Sequence, residues 1–397
     1  MSTSDAGPAH DTDRAPGARR TSTSATASTS AEVDPRARVS AEVDPRARTS
    51  AEADPSDGRD TSRARDTSDA RDTSGEGSTR SAGRRPLAGG GTVWAAWAEL
   101  LRVSALFTVP GDALAGAAAA GTRPNRRTLL AVCSSLCLYE AGMTLNDWAD
   151  RDEDALDRPH RPLPSGRITP RAALTASVSL TAAGLGLAAR AGRPSLVVAT
   201  ALAATVWSYD LHLKHTPAGP AAMAAARGLD LLLGATATGP LSPRPLPSAA
   251  LLAAHTWAVT TVSRHETRGG SSRAPSLALA ATLGVAVTAA RPRPSVRRPP
   301  SPSVPGRPAA GPLGGTAGRL LTAAVAAGYA RTPAAPYLHA ALHPSPPLVQ
   351  RSVGAGIRAL IPLQATLALR AGAPGTGLAL LALAPLARAL ARKVSPT

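Results

Sequence analysis

Half of the acidic residues that follow position 92 crowd into eleven positions: Asp147, Asp150, Asp152, Glu153, Asp154 and Asp157. Within this cluster Asn146, Asp150 and Asp154 are spaced four apart, so a continuous helix sets all three near one face, with Asp157 close to it. Oxygens converging from one helix repel each other unless a cation lies between them. Hard carboxylate and amide oxygens suit Mg²⁺, which keeps several waters and commonly shares its shell with substrate phosphates. An EF-hand does not fit, because starting the loop at Asp150 puts Ala155 at the turn glycine and Arg161 at the closing glutamate. A merely solvated helix end is the plainer alternative. Arg158, Arg161 and Arg167 follow at once, however, and guanidinium groups are phosphate donors.

Other polar groups stand far away in sequence but in similar surroundings. Lys214 is one of two lysines in a chain otherwise committed to arginine, and it follows an apolar stretch in SYDLHLKHTPAGP. A loop lysine beside a membrane cavity offers diphosphate a point charge, and one snorkelling to the interface is its structural counterpart. In MAAARGLDLLLG, Arg227 and Asp230 lie three apart inside an apolar run and are expected to pair on one face. Intramembrane charges are costly and usually mark a site. Further on, VTTVSRHETRGG supplies Arg264 and Glu266.

The elements that must position these groups are long and apolar. From Thr92 onward apolar stretches recur at 94–121, 128–145, 171–189, 194–209, 219–238, 247–263, 274–290, 317–331, 346–369 and 373–391. Most approach the roughly 20 residues that cross a bilayer. Ala and Gly dominate them, which lets helix backbones approach closely. The expected fold is therefore all-α: a polytopic membrane bundle of about nine transmembrane helices over residues 92–397, multi-pass in the plasma membrane.

Residues 1–91 differ in kind. They carry the decads AEVDPRARVS and AEVDPRARTS at 31–50, then a decaying AEADPSDGRD. Ten residues with one apolar side chain and a proline cannot bury a core, so this segment reads as a disordered tail. Deleting residues 1–88 is expected to leave membrane insertion intact, checked by the membrane fraction of the truncated chain. The start MSTSDAGPAH lacks the charged-then-apolar order of a cleaved signal. The mean hydropathy of −0.04 averages these two unlike parts.

The formal charge of +17 belongs to the apolar part, since the first 92 residues hold nearly equal numbers of arginines and acids. A basic, apolar body suits anionic lipid or a phosphorylated substrate. Nucleic acid is not expected, because the basic residues sit between apolar segments and form no stripe. Cys133 and Cys137 fall one turn apart as small packing residues and offer neither a zinc spacing nor a disulfide framework.

With its continuation DRPHRPLPSGR, NDWADRDED resembles the first aspartate-rich motif of UbiA-type intramembrane prenyltransferases, Asn-Asp-x-x-Asp-x-x-x-Asp. The resemblance covers about residues 94–391. It implies that Asn146, Asp150 and Asp154 hold Mg²⁺ against an allylic diphosphate, with Asp150 and Asp154 essential to catalysis. It also implies catalytic roles for Tyr209 and Lys214, which match a Tyr and Lys common in the family. Arg158, Arg161, Lys214, Arg227 and Arg264 are then the candidate diphosphate donors. The family's second pair of aspartates is absent, and Glu266 is the acid left there as a possible metal ligand. Together with MAAARGLD, this departure resembles a sub-branch of UbiA-like proteins from microbial ebo-type gene clusters. The expected activity is Mg²⁺-dependent transfer of an isoprenyl group from a prenyl diphosphate to a lipophilic acceptor within the membrane lipid. The rival is a non-catalytic isoprenoid-binding or transport protein that keeps the first motif alone.

Overall fold

The computed structural model describes residues 90–101, 108–239, 242–267, 269–292 and 315–394. The tail and its decads lie outside them. Among the described residues there are twelve α-helices and no strand. In chain order these are α1 (Gly90–Leu100), α2 (Val109–Ala119), α3 (Arg126–Ala149), α4 (Arg151–Asp157), α5 (Pro170–Ala191), α6 (Arg193–Ser208), α7 (Gly219–Thr238), α8 (Leu246–Ser263), α9 (Arg273–Ala290), α10 (Thr316–Leu342), α11 (Pro346–Arg370) and α12 (Pro374–Val394). The apolar run 94–121 is thus carried by two helices, and the run starting at 317 extends through Pro333 and Pro336 to Leu342. Five spans are long and apolar enough to cross a membrane: Arg126–Ala149, Pro170–Ala191, Arg193–Leu213, Arg273–Ala290 and Pro346–Arg370. Among the described residues this is fewer than the nine expected, because Arg227 and Asp230 in α7, and Arg319, Arg331 and two prolines in α10, lower the hydropathy of those helices.

Local signals explain where the helices carrying the site begin. Asn125 caps α3: its side-chain oxygen accepts from the backbone N–H of Arg127 at 2.9 Å and of Thr128 at 3.3 Å. The Thr128 hydroxyl accepts in turn from the Asn125 N–H, so two orphan donors are satisfied. Thr169 caps α5 with Pro170 in the first turn, where the missing N–H costs nothing. Between α5 and α6, Gly192 takes φ 145°, a conformation that a side chain would strain.

Small residues then set the helix spacing. Helix α2 packs along α7, and a Cβ on Gly116 would overlap the Leu231 carbonyl, while one on Gly234 would overlap the Ala113 backbone. Backbone cannot yield as a flexible side chain can. Gly234→Val is therefore expected to cost about 3 kcal/mol or more by forcing α2 off α7, and thermal unfolding in detergent checks this. Burial is uneven along the bundle. Of the apolar window in α11, 78% lies inside the protein, against 22% for the windows of α5 and of Arg193–Leu213. Helix α11 is the axle, and α5 and α6 turn their faces outward.

Candidate functional site

The acidic row does not continue as one unbroken helix. Asp150 ends α3 and starts α4 with φ −89° and ψ 3°, a hinge that still carries the chain forward. The turn preserves part of the expected face, since the Asn146 side-chain amide donates to Asp150 Oδ2 at 2.9 Å. The Lys214 ammonium comes from 64 residues away to donate to Asp150 Oδ1. Lys214 is 11% exposed and Asp150 23%, so this pair is sheltered and not a surface ion pair.

Asp154 faces elsewhere. Its Oδ2 accepts from Arg161 Nη1 at 2.7 Å, and Arg158 Nη1 lies 3.6 Å from its Oδ1. Arg161 Nη1 also lies 3.4 Å from Asp147 Oδ1, so one guanidinium serves two buried carboxylates. Both the pairs and the burial differ from the outer side of α4, where Asp152 is 88% exposed and meets only Arg151. Arg167 pairs with Glu99 at 2.7 Å, fixing the loop after α4 to α1. Leu163 and Ile168 of that loop bury against Ala96 and Leu100.

The second wall comes from the end of α6. There the chain widens into one π-turn, Tyr209–Leu213, after which the Lys214 N–H donates to the Tyr209 carbonyl at 2.9 Å. Such single π-turns change the register of the side chains they carry. Here the turn leaves Tyr209 half-buried, Asp210 buried, and Lys214 over Asp150. An open cleft of ≈ 410 Å³ results, lined among others by Asp150, Glu153, Asp210, Lys214 and His215. One ligand atom each from Asp150, Glu153 and His215 lie within 4.8 Å of one another. Oxygen donors with one imidazole at the rim fit a hard divalent cation.

The remaining expected residues are placed differently. Arg264 donates to the Thr216 carbonyl, bracing the loop that carries Lys214. Glu266 is half-buried; burial pushes its carboxyl above the ordinary range, and the Arg158 guanidinium pulls it back. Arg227 corrects a sequence expectation. It does not pair with Asp230: Arg227 Nη1 lies 3.0 Å from Asp112 Oδ2 and Nη2 donates to Thr108 at 3.2 Å. Asp112 also accepts from the Gln364 amide at 2.7 Å. This cluster joins α2, α7 and α11 inside the bundle, apart from the residues that line the cleft. Asp112 and Asp210 were the groups that sequence reasoning passed over. Their visible signal was that each is an acid inside an apolar run.

Five helices among the described residues are long and apolar enough to cross a membrane, and the polar cleft lies where α3 and α6 end. Residues 104–291 match the UbiA prenyltransferase family. Digeranylgeranylglyceryl phosphate synthase of Methanopyrus kandleri is 34% identical over 127 residues, 31% of this chain and 45% of its own. The enzyme of the same name from Methanothrix thermoacetophila is 38% identical over 115 residues, 29% and 43% of the two chains. The matched segment thus spans less than half the length of these curated relatives. A solved UbiA homolog from Archaeoglobus fulgidus, bound to GPP and Mg²⁺, is 18% identical, with 72% of this chain and 99% of that one covered and a TM-score of 0.46.

Proposed function

We propose that residues 92–397 form a plasma-membrane prenyltransferase that moves an isoprenyl group from an allylic diphosphate to a lipophilic acceptor, in the ebo-type sub-branch of its family. One juxtaposition carries this reading: the lysine after α6 meets the aspartate row after α3, giving carboxylates for a cation and bases for an anion in one cleft. The names of the relatives, synthases of a prenylated glyceryl phosphate, support the same class of reaction.

In this reading Asn146 and Asp150 hold Mg²⁺, with Asp154 behind them in the row and Glu266 the further acid on the far side. Bound there, the ion would neutralise charge on the departing diphosphate. Lys214 leaves Asp150 for the phosphate oxygens, and Arg158 and Arg161 add planar donors from the next turn. Arg264 holds the lysine loop in place, the Tyr209 carbonyl accepts the Lys214 backbone N–H where that loop begins, and Arg227 acts from the interior through its hold on α2. The bond from the allylic carbon to oxygen breaks with its electron pair on the diphosphate, and the acceptor forms the new bond with an electron pair of its own and releases a proton.

The test is turnover of radiolabelled prenyl diphosphates by the purified full chain, with a membrane lipid extract as acceptor and Mg²⁺ varied. Metal-dependent diphosphate release with a labelled lipid product is expected. Prenyl lipid bound without release at any Mg²⁺ concentration would make the chain an isoprenoid-binding protein instead.

A further inference from the structure

Asp210 is the most deeply buried carboxylate of the cleft, and the reaction so far gives it no task. It is the second residue of the π-turn, and the turn directs it toward α3, where its Oδ2 lies within ordinary contact distance, 3.8 Å, of where a Cβ on Gly142 would stand. Asp210 is 4% exposed and faces Lys214, Asp150 and Asp147. Among the described residues its carboxylate makes no hydrogen bond and no ion pair. A buried carboxylate without a donor costs several kcal/mol, so this arrangement is poised to take a ligand.

The charges around it define that ligand. Arg161 already compensates Asp147, and Arg151 pairs with Asp152 at the rim. What remains in the cleft is three carboxylates, Asp150, Glu153 and Asp210, against the single ammonium of Lys214, with His215 beside them. The balance is two negative charges, the charge of one divalent cation.

We propose that Asp210 and Asp150 are the inner ligands of a divalent-cation site, with Glu153 and His215 at its mouth. The donor set suits Mg²⁺ or Mn²⁺. The second acidic wall of the cleft thereby comes from the π-turn after α6, and not from the turn after α8, where Glu266 stands alone. The proposal builds on the cleft described above as a diphosphate site, but it concerns metal binding alone. Lys214 now occupies Asp150, so cation and ammonium compete for the same oxygens until an anion draws the lysine away.

The experiment is Mn²⁺ titration of the full chain in nanodiscs without substrate, following free Mn²⁺ by electron paramagnetic resonance. Asp210→Asn is expected to weaken binding about tenfold or more, while Asp152→Asn, in the same rim but paired outward, leaves it unchanged. Lys214→Met is expected to tighten binding, which tests the competition with Asp210 intact should Asp210→Asn misfold. Unchanged affinity in Asp210→Asn, equal loss in Asp152→Asn, or no tightening in Lys214→Met would overturn the site. If Mn²⁺ binding depends on Asp210 and no diphosphate is ever released, the metal site stands and prenyl transfer falls. Release with Mn²⁺ binding indifferent to Asp210 gives the reverse.

Discussion

Asp150→Asn is expected to lower Mg²⁺-dependent diphosphate release by roughly 10²–10³-fold, the scale of losing one preorganised electrostatic group. The substitution keeps the shape of the side chain, but it leaves one acceptor oxygen where Asn146 and Lys214 donate to two, and it removes the charge that both Lys214 and a cation require. No other residue replaces it, because Asp154 is committed to Arg161 and Arg158. Folding should be little affected, since asparagine still accepts from the lysine. The measurement is labelled diphosphate release against Mg²⁺ concentration, with Asp152→Asn as the control. Activity in Asp150→Asn close to that of the parent would remove the aspartate row from the reaction.

Arg161→Ala is expected to act first on stability. Its guanidinium lies against Asp154 and Asp147, whose side chains are 5% and 6% exposed. Truncation removes the one guanidinium shared by these two buried carboxylates, and breaking a buried pair in this way costs about 3–5 kcal/mol. Arg158 offsets only part of the loss, because it is half exposed and stands 3.6 Å from Asp154 alone. Adding Asp147→Asn and Asp154→Asn to Arg161→Ala should return most of the stability by removing the stranded charges, although activity should stay low. Thermal unfolding of the parent, Arg161→Ala and the triple variant in one detergent decides this. An unchanged midpoint in Arg161→Ala would show that water reaches these carboxylates freely.

The helices were legible because Ala- and Leu-rich runs are punctuated by Pro, Gly and capping residues, as at Asn125 and Thr169. The face shared by Asn146 and Asp150 followed from helical spacing alone. Spacing could not show Lys214 on Asp150, a contact spanning 64 residues, although the chemistry of each group suggested it. The Arg227–Asp230 expectation failed for a specific reason. Spacing along one helix sees only that helix, and Asp112 reaches Arg227 from α2. Asp210 was hidden by the π-turn, which rotates the chain out of the register that regular helical counting assumes.

The enclosure of α11 has a consequence for biogenesis. It packs against α2, α8, α9 and α10, all synthesised before it, and against α12, which follows it. At about 5–20 residues per second, those earlier helices wait in the bilayer with their inner faces uncovered until translation passes Arg370. The nascent protein therefore has no closed interior for most of its synthesis. A nonsense codon before Pro346 would yield a chain that inserts but stays open to lipid and to membrane proteases.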